Sequence, residues 1–105
     1  MKGGCIPGDR VGAMMSADKE EVHLFGYGTY RGEEVPPADI RMWGVDLSEL
    51  GHENPKILLD NGKVVWGCEC WWGDEEQVRK SIGDRRVVIV DPDEARRAAA
   101  NGLEA

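Results

Sequence analysis

Two of the three cysteines in this sequence lie two residues apart, within the stretch VVWGCECWWG. On a β-strand, Cys68 and Cys70 would point to the same face and could offer two thiolates to a metal such as zinc. A zinc site needs about four ligands, and structural cysteine pairs usually have wider spacing on a turn. One alternative is a metal or thiol site completed by Cys5, His23 or His52. We favour the other, in which both cysteines are small buried hydrophobic side chains, and we expect no cofactor.

An Asn-Gly dipeptide at positions 61 and 62 determines the strand pairing that we predict for this stretch. Asn-Gly favours a two-residue type I′ hairpin loop, which would place Leu59 opposite Val64 and Ile57 opposite Trp66. Strand alternation then divides the residues between two faces. We expect the inner face to carry Ile57, Leu59, Val64, Trp66, Cys68, Cys70 and Trp72, and the outer face to carry Leu58, Val65, Gly67, Glu69, Trp71 and Gly73.

Trp71 falls on the predicted outer face, beside the carboxylate of Glu69 and between two glycines. A tryptophan ring with open backbone around it can stack on a base or receive a cation or a side chain of a peptide. We predict a ligand site at Trp71 and Glu69, with Trp43 as an anchor in the loop 38–54. The alternative is that this loop or a second subunit covers Trp71.

The stretch FGYGTYRG supplies the other aromatic candidates. Without a bulge, Tyr27 and Arg31 share one face of a strand and could combine stacking with phosphate pairing, while Tyr30 lies on the opposite face. We include these three residues in the candidate ligand surface, with core packing as the alternative. Gly26 and Gly28 predict a bulge, sharp coiling or close approach of another backbone within the strand.

The elements that must position these residues are mostly strands. Alternating and aromatic runs predict strands over residues 7–18, 21–32 and 85–91 and a hairpin over 55–73. The unbroken run VVIV in the last strand predicts burial on both faces or closure of the sheet. A short helix is expected from Asp74, the N-cap, to Gly83, the stop signal.

This order of elements resembles a small SH3-like barrel of five bent strands with one short helix before the last strand. We expect a mainly β domain over residues 1–91, in which the long loop 38–54 contains a helical turn. Residues 92–105 are expected to form a C-terminal helix or a flexible tail, because their apolar residues are mostly alanine.

At a finer level, FGYGTYRGEEVPP and NPKILLDNGKVVWGCECWWG are similar to stretches of small uncharacterised bacterial and phage-borne proteins. That resemblance implies a self-standing domain and adds no catalytic residues.

Composition and charge exclude several classes of partner. The 105 residues carry a formal net charge of -7, and an acidic chain is repelled by duplex nucleic acid. No apolar run is long enough to span a membrane, and no secretory signal is visible, so we expect a cytoplasmic protein with reduced cysteines.

The function that we predict is a non-enzymatic binding module that recognises a protein segment or a small ligand through an aromatic strand surface. A second hypothesis is a phage-type protein that sequesters a nucleotide signal, with Arg31, Arg41, Arg85 and Arg86 as candidates for phosphate pairing. A third is a metal-dependent or thiol enzyme that uses Cys68, Cys70 and a histidine. Exposed strand edges, or Trp71 itself, could also form a homodimer.

Overall fold

A computed structural model describes the backbone of residues 5–38, 40–42 and 45–104. Side chains are described over the same ranges except at positions 41, 42, 45–47 and 100–104. The elements in chain order are β1 Arg10–Ala17, β2 Glu21–Glu34, β3 Arg41–Met42, β4 Val45–Asp46, α1 Leu47–Leu50, β5 Asn54–Leu59, β6 Val64–Trp66, a 3-10 helix Gly67–Glu69, β7 Trp71–Asp74, α2 Glu75–Ile82, β8 Arg86–Ile89 and α3 Pro92–Glu104.

The mainly β class is confirmed, and the main sheet has six strands. Five strands lie in the antiparallel order β6-β5-β2-β1-β7, and β8 pairs in parallel with the first half of β2. This sheet is open, whereas the SH3-like pattern led us to expect a closed barrel of five strands. The physical reason is that β6 ends after three residues, at the 3-10 helix. The chain then crosses to β1, so that β7 lies at the opposite end of the sheet from β6.

The long strand β2 lies at the centre of the sheet, and it contains both a bulge and a close backbone approach, two of the features that Gly26 and Gly28 predicted. Ala13 pairs with Gly26 and Met14 pairs with Leu24, so Phe25 is the extra residue of a bulge. Gly28 lies where β1 and β5 both pair with β2, and a Cβ there would come 2.1 Å from the carbonyl oxygen of Leu58. The close approach that we predicted therefore occurs at Gly28.

The hairpin between β5 and β6 is displaced by one residue from the pairing that we predicted. Ile57 pairs with Val65 and Leu58 with Val64, and the N–H of Gly62 donates to the carbonyl of Leu59 at 2.9 Å. The loop thus has three residues and ends on Gly62 with φ +88°. Asp-Asn-Gly accommodates a turn that ends in a left-handed glycine, which is the second common hairpin geometry.

This displacement exchanges the faces of two valines. Val65 is buried with Ile57 and Leu59, whereas Val64 lies half-buried against Ile40 and Trp66. Because a shift of one residue reverses every side chain of a strand, the predicted faces of β6 are wrong at Val64, Val65 and Trp66. Trp66 is buried, but it packs with Ile40 and not with Ile57 and Leu59. The sequence places hydrophobic residues at all three positions, so their pattern alone does not select the register.

Apolar side chains pack on both faces of the sheet. The central core contains Val11, Ala13, Phe25, Tyr30, Ile57, Leu59 and Val65. The second cluster, beneath α2, contains Val22, Leu24, Val78 and Ile82. Strand alternation places the sequence neighbours Leu24 and Phe25 on opposite faces and therefore in different clusters. The bulge at Phe25 then reverses the alternation, so that Tyr27 shares the face of Leu24 and Tyr30 shares the face of Phe25.

The predicted helix at 74–83 is present as α2. The carboxylate of Asp74 accepts a hydrogen bond from the N–H of Gln77 at 3.3 Å. Gly83 follows the helix with φ +62°, and its N–H donates to the carbonyl of Arg79. Local capping groups therefore explain both ends of this element.

Two expectations about the C-terminal part need correction or refinement. β8 pairs with β2 but is not buried on both faces, because the side chains of Val87 and Ile89 are exposed. The last segment forms α3, and its first turns are docked: Pro92 is buried and Ala95 packs against the central core. No helix in the described ranges is long and apolar enough to cross a membrane.

Candidate functional site

The most exposed large hydrophobic side chain of the described residues is Trp71, which remains 77% accessible. It begins β7, with one residue between it and the end of the 3-10 helix, and it pairs with Met14 of β1. An open groove of about 330 Å³ lies beside the ring. We call it the Trp71 groove, and its lining residues are Met15, Cys68, Glu69, Cys70 and Trp71.

Trp72, the next residue, points the other way and fixes the strand. Its ring stacks on Tyr30 with the ring centroids 5.3 Å apart, and it packs against the central core. Alternation along β7 therefore anchors one tryptophan inside and leaves its neighbour in solvent. The stack of Trp72 on Tyr30 therefore fixes the backbone of β7, and this backbone holds the exposed ring of Trp71 in place.

Glu69 lies in the Trp71 groove, and its carboxylate is already bound. Its oxygens accept hydrogen bonds from Nε and Nη2 of Arg96, each at 2.7 Å, and one also accepts the N–H of Trp66 at 3.0 Å. Arg96 donates further to the carbonyl of Val64 at 2.9 Å. This bidentate pair attaches α3 to the groove, so Glu69 serves as a fixed wall and not as a free charge.

The two cysteine thiols of the groove are poor nucleophiles. Burial, reinforced by the charge of Glu69, raises the pKa of Cys70 to about 12. Burial also raises the pKa of Cys68. With raised pKa values, both thiols stay protonated near neutral pH. They react slowly, because the thiolate is the reactive form. Within the described part of the chain, no three or more His, Cys, Asp or Glu side chains are placed to hold a metal ion.

Tyr27 and Tyr30 do not join Trp71 in one surface. The guanidinium of Arg79 lies 4.0 Å from the centroid of the Tyr27 ring, so this ring already has a cation partner on α2. Tyr30 is buried, and its hydroxyl donates to Glu33 at 2.5 Å. That hydrogen bond and burial raise the pKa of Tyr30 to about 12.

The remaining predicted site residues are placed as follows. Arg31 is exposed on β2. Trp43 lies outside the described residues, and so does the side chain of Arg41. Arg85 donates to the carbonyls of Asp18, Ser81 and Ile82 and thereby ties α2 to the β1–β2 turn. Arg86 pairs with Glu21. Of the predicted set, the structure brings together Trp71 and Glu69.

Two residues of this region were missed from the sequence. Met15 lies at the end of β1 and reaches the groove because β1 pairs with β7. Arg96 lies 27 residues from Glu69, and nothing local in the sequence signals their pairing. Only a prediction that α3 docks on the sheet could have indicated this pair. The alanine-rich composition of α3 instead predicts a loosely held helix.

The fold and this site define a small, mainly β protein whose sheet edge presents one exposed tryptophan beside a shallow groove. Comparison of the chain with protein-family models found no match, and comparisons with curated proteins and with solved structures found none either. The function is therefore argued from the geometry.

Proposed function

We propose that this chain is a non-enzymatic binding module that recognises a protein segment at the Trp71 groove. The observation that carries the proposal is the exposure of Trp71 on β7, which is the last strand in the sheet order β6-β5-β2-β1-β7. A tryptophan buries roughly 150–250 Å² in an interface. At about 25 cal/mol per Å², that area is worth about 4 to 6 kcal/mol.

A protein segment fits this edge better than a small charged ligand does. An extended segment can add to an edge strand through backbone hydrogen bonds while one of its side chains enters the groove. The groove itself offers a tryptophan, a thioether and two neutral thiols, and its carboxylate is neutralised by Arg96. This lining favours an apolar or aromatic side chain of the partner.

The same geometry disfavours the two other hypotheses. Of the described candidates for phosphate pairing, Arg85 is bound to backbone carbonyls and Arg86 to Glu21, which leaves Arg31 as the exposed one. The protonated thiols of Cys68 and Cys70 lack the reactivity that a thiol enzyme needs. The cytoplasm remains part of the proposal, since three free cysteines suit a reducing compartment.

The SH3-like strand path also belongs to the proposal. It is supported by a bent β2 that pairs with β1, β5 and β8, and by the short helix α2 that precedes the last strand. In an SH3-like path, the binding edge β7 is the strand that leads directly into α2.

The test is selection of peptides from a random display library against the wild-type chain, followed by titration of the selected peptides. Trp71→Ala should weaken their binding at least ~30-fold, as a central tryptophan hot spot does. Leu50→Ala is the matched control, because Leu50 is 55% exposed and lies on α1. Failure to select any peptide, or equal binding by Trp71→Ala, would contradict the proposal. A nucleotide that raises the melting temperature equally in both variants would favour the nucleotide hypothesis.

A further inference from the structure

A second apolar surface lies at β8, away from the Trp71 groove. Val87 and Ile89 are 42% and 65% exposed although they belong to a strand of the main sheet. With Leu24, Tyr27 and Leu59 they line an open groove of about 460 Å³. Proteins usually protect an exposed edge with charged residues or proline. This strand instead presents valine and isoleucine.

The outer edge of β8 carries backbone groups that β2 does not use. The N–H groups of Arg86 and Val90 donate to the carbonyls of Glu20 and Leu24, at 3.0 and 2.9 Å. Backbone groups alternate along a strand, so Arg86, Val88 and Val90 face β2, and Val87 and Ile89 face away from it. Among the described strands, only β2 pairs with β8. The same two residues thus present exposed side chains and outward backbone groups.

We propose that β8 pairs antiparallel with β8 of a second copy of this chain, about a two-fold axis through Val88. Val87 then lies opposite Ile89 of the other copy as a hydrogen-bonded pair, and the symmetry repeats this pair on the other side of the axis. Four backbone hydrogen bonds form in all. Val88 lies opposite its own symmetry mate, as a pair without hydrogen bonds between the two residues.

The charges around β8 explain why a second copy is the partner. The sequence DRRVVIVD has Asp84, Arg85 and Arg86 before its apolar centre and Asp91 after it. Antiparallel pairing about Val88 places Arg85 of each copy opposite Asp91 of the other. Arg85 keeps its positive charge, because its own partners are backbone carbonyls, whereas Arg86 pairs with Glu21 and Asp91 also contacts Lys63 within the same copy. A parallel arrangement would instead place like charges opposite each other, which is destabilising. The strand is therefore complementary to itself in one orientation.

The size of the contact indicates a weak dimer. A strand of four residues and its flanking charges bury less than the roughly 1,200–2,000 Å² of a standard stable interface. The two valines and two isoleucines contributed by the pair supply its apolar centre. We therefore expect a concentration-dependent equilibrium between monomer and dimer.

Sedimentation velocity of the full chain over a concentration series tests the proposal. The wild type should shift from monomer to dimer, and Ile89→Lys should remain monomeric, because lysine on an edge strand opposes pairing. Leu50→Lys, a matched change at an exposed aliphatic residue of α1, should still dimerise, and so should Trp71→Ala. A wild type that is monomeric at every concentration, or an Ile89→Lys variant that dimerises normally, would overturn it. Loss of the dimer in Trp71→Ala would show that the interface lies at β7 and would contradict the proposal.

Cross-linking tests the register. Cα atoms of an antiparallel pair without hydrogen bonds lie about 4.5 Å apart, within the range of a disulfide. Under mild oxidation Val88→Cys should form a covalent dimer above the wild-type background, whereas Val87→Cys should not, because it faces Ile89. Equal cross-linking of both variants, or cross-linking only of Val87→Cys, would contradict the register that we propose.

Discussion

The edges β7 and β8 both expose hydrophobic side chains, but they do so in different ways. At β7 one tryptophan stands out beside a neighbour that is stacked in the core. At β8 two exposed aliphatic residues lie two apart on one strand, with Arg85 and Arg86 before them and Asp91 after them. A single anchor beside a groove suits recognition of a different molecule, whereas a charge-antisymmetric strand suits its own copy. Exposure alone does not distinguish these roles; the surroundings of the exposed residues do.

The largest expected effect separates the two tryptophans of β7. Trp72→Ala removes the stack on Tyr30 and should lower the free energy of unfolding by about 3 kcal/mol. Trp71→Ala removes an exposed ring and should change it by less than about 0.5 kcal/mol. Urea unfolding followed by circular dichroism measures both. Similar losses in the two variants would show that Trp71 is a structural residue.

The fixed wall of the Trp71 groove gives the next effect. Glu69→Ala removes the carboxylate that the partly buried Arg96 contacts at 2.7 Å and leaves its longer contact with Asp93, so it should lower the free energy of unfolding by about 2 kcal/mol. Glu34→Ala is the control, since its contact with Lys56 is long and exposed, and it should cost less than about 0.5 kcal/mol. Equal, small losses in urea unfolding would mean that α3 is not held at the groove by this pair.

At β8, the same measurement should show almost no effect. Because Ile89 is exposed, Ile89→Lys should change the unfolding free energy of the monomer by less than about 0.5 kcal/mol in dilute solution. A large loss would place Ile89 in the core of the monomer, and the strand would then lack the free surface that a dimer needs.

The smallest effect concerns the thiols. The raised pKa of Cys70 means that its thiolate fraction keeps increasing with pH well beyond the range of an ordinary thiol. Alkylation by iodoacetamide, followed by peptide mass spectrometry, should therefore be at least ~10-fold slower at Cys70 than at an unfolded control, with no plateau at mildly alkaline pH. Fast labelling of Cys70 near neutral pH would revive the thiol hypothesis.

Features that depend on nearby residues could be predicted from the sequence. Asp74 and Gly83 cap α2 locally, and Gly28 predicts the close approach of another strand's backbone. The neighbours Trp71 and Trp72 must point to opposite faces of a strand. The three-residue hairpin loop could not be distinguished from the two-residue one, because Asn61-Gly62 is compatible with both.

The features that were missed depend on distant parts of the chain. The 3-10 helix at 67–69 interrupts the strand that we had extended from β6 to β7, and the open sheet follows from that interruption. Pairing of Glu69 with Arg96 depends on how α3 docks. The exposure of Val87 and Ile89 depends on β8 lying at an edge, whereas the run VVIV by itself indicates burial.

The central claim is that the two edges bind different partners, and a crossed pair of variants tests it most directly. Affinity for a selected peptide and the monomer–dimer equilibrium are both measured in Trp71→Ala and in Ile89→Lys. We predict that Trp71→Ala loses the peptide and keeps the dimer, and that Ile89→Lys loses the dimer and keeps the peptide. If either variant loses both properties while it remains folded, the edges form one shared surface and the claim is wrong.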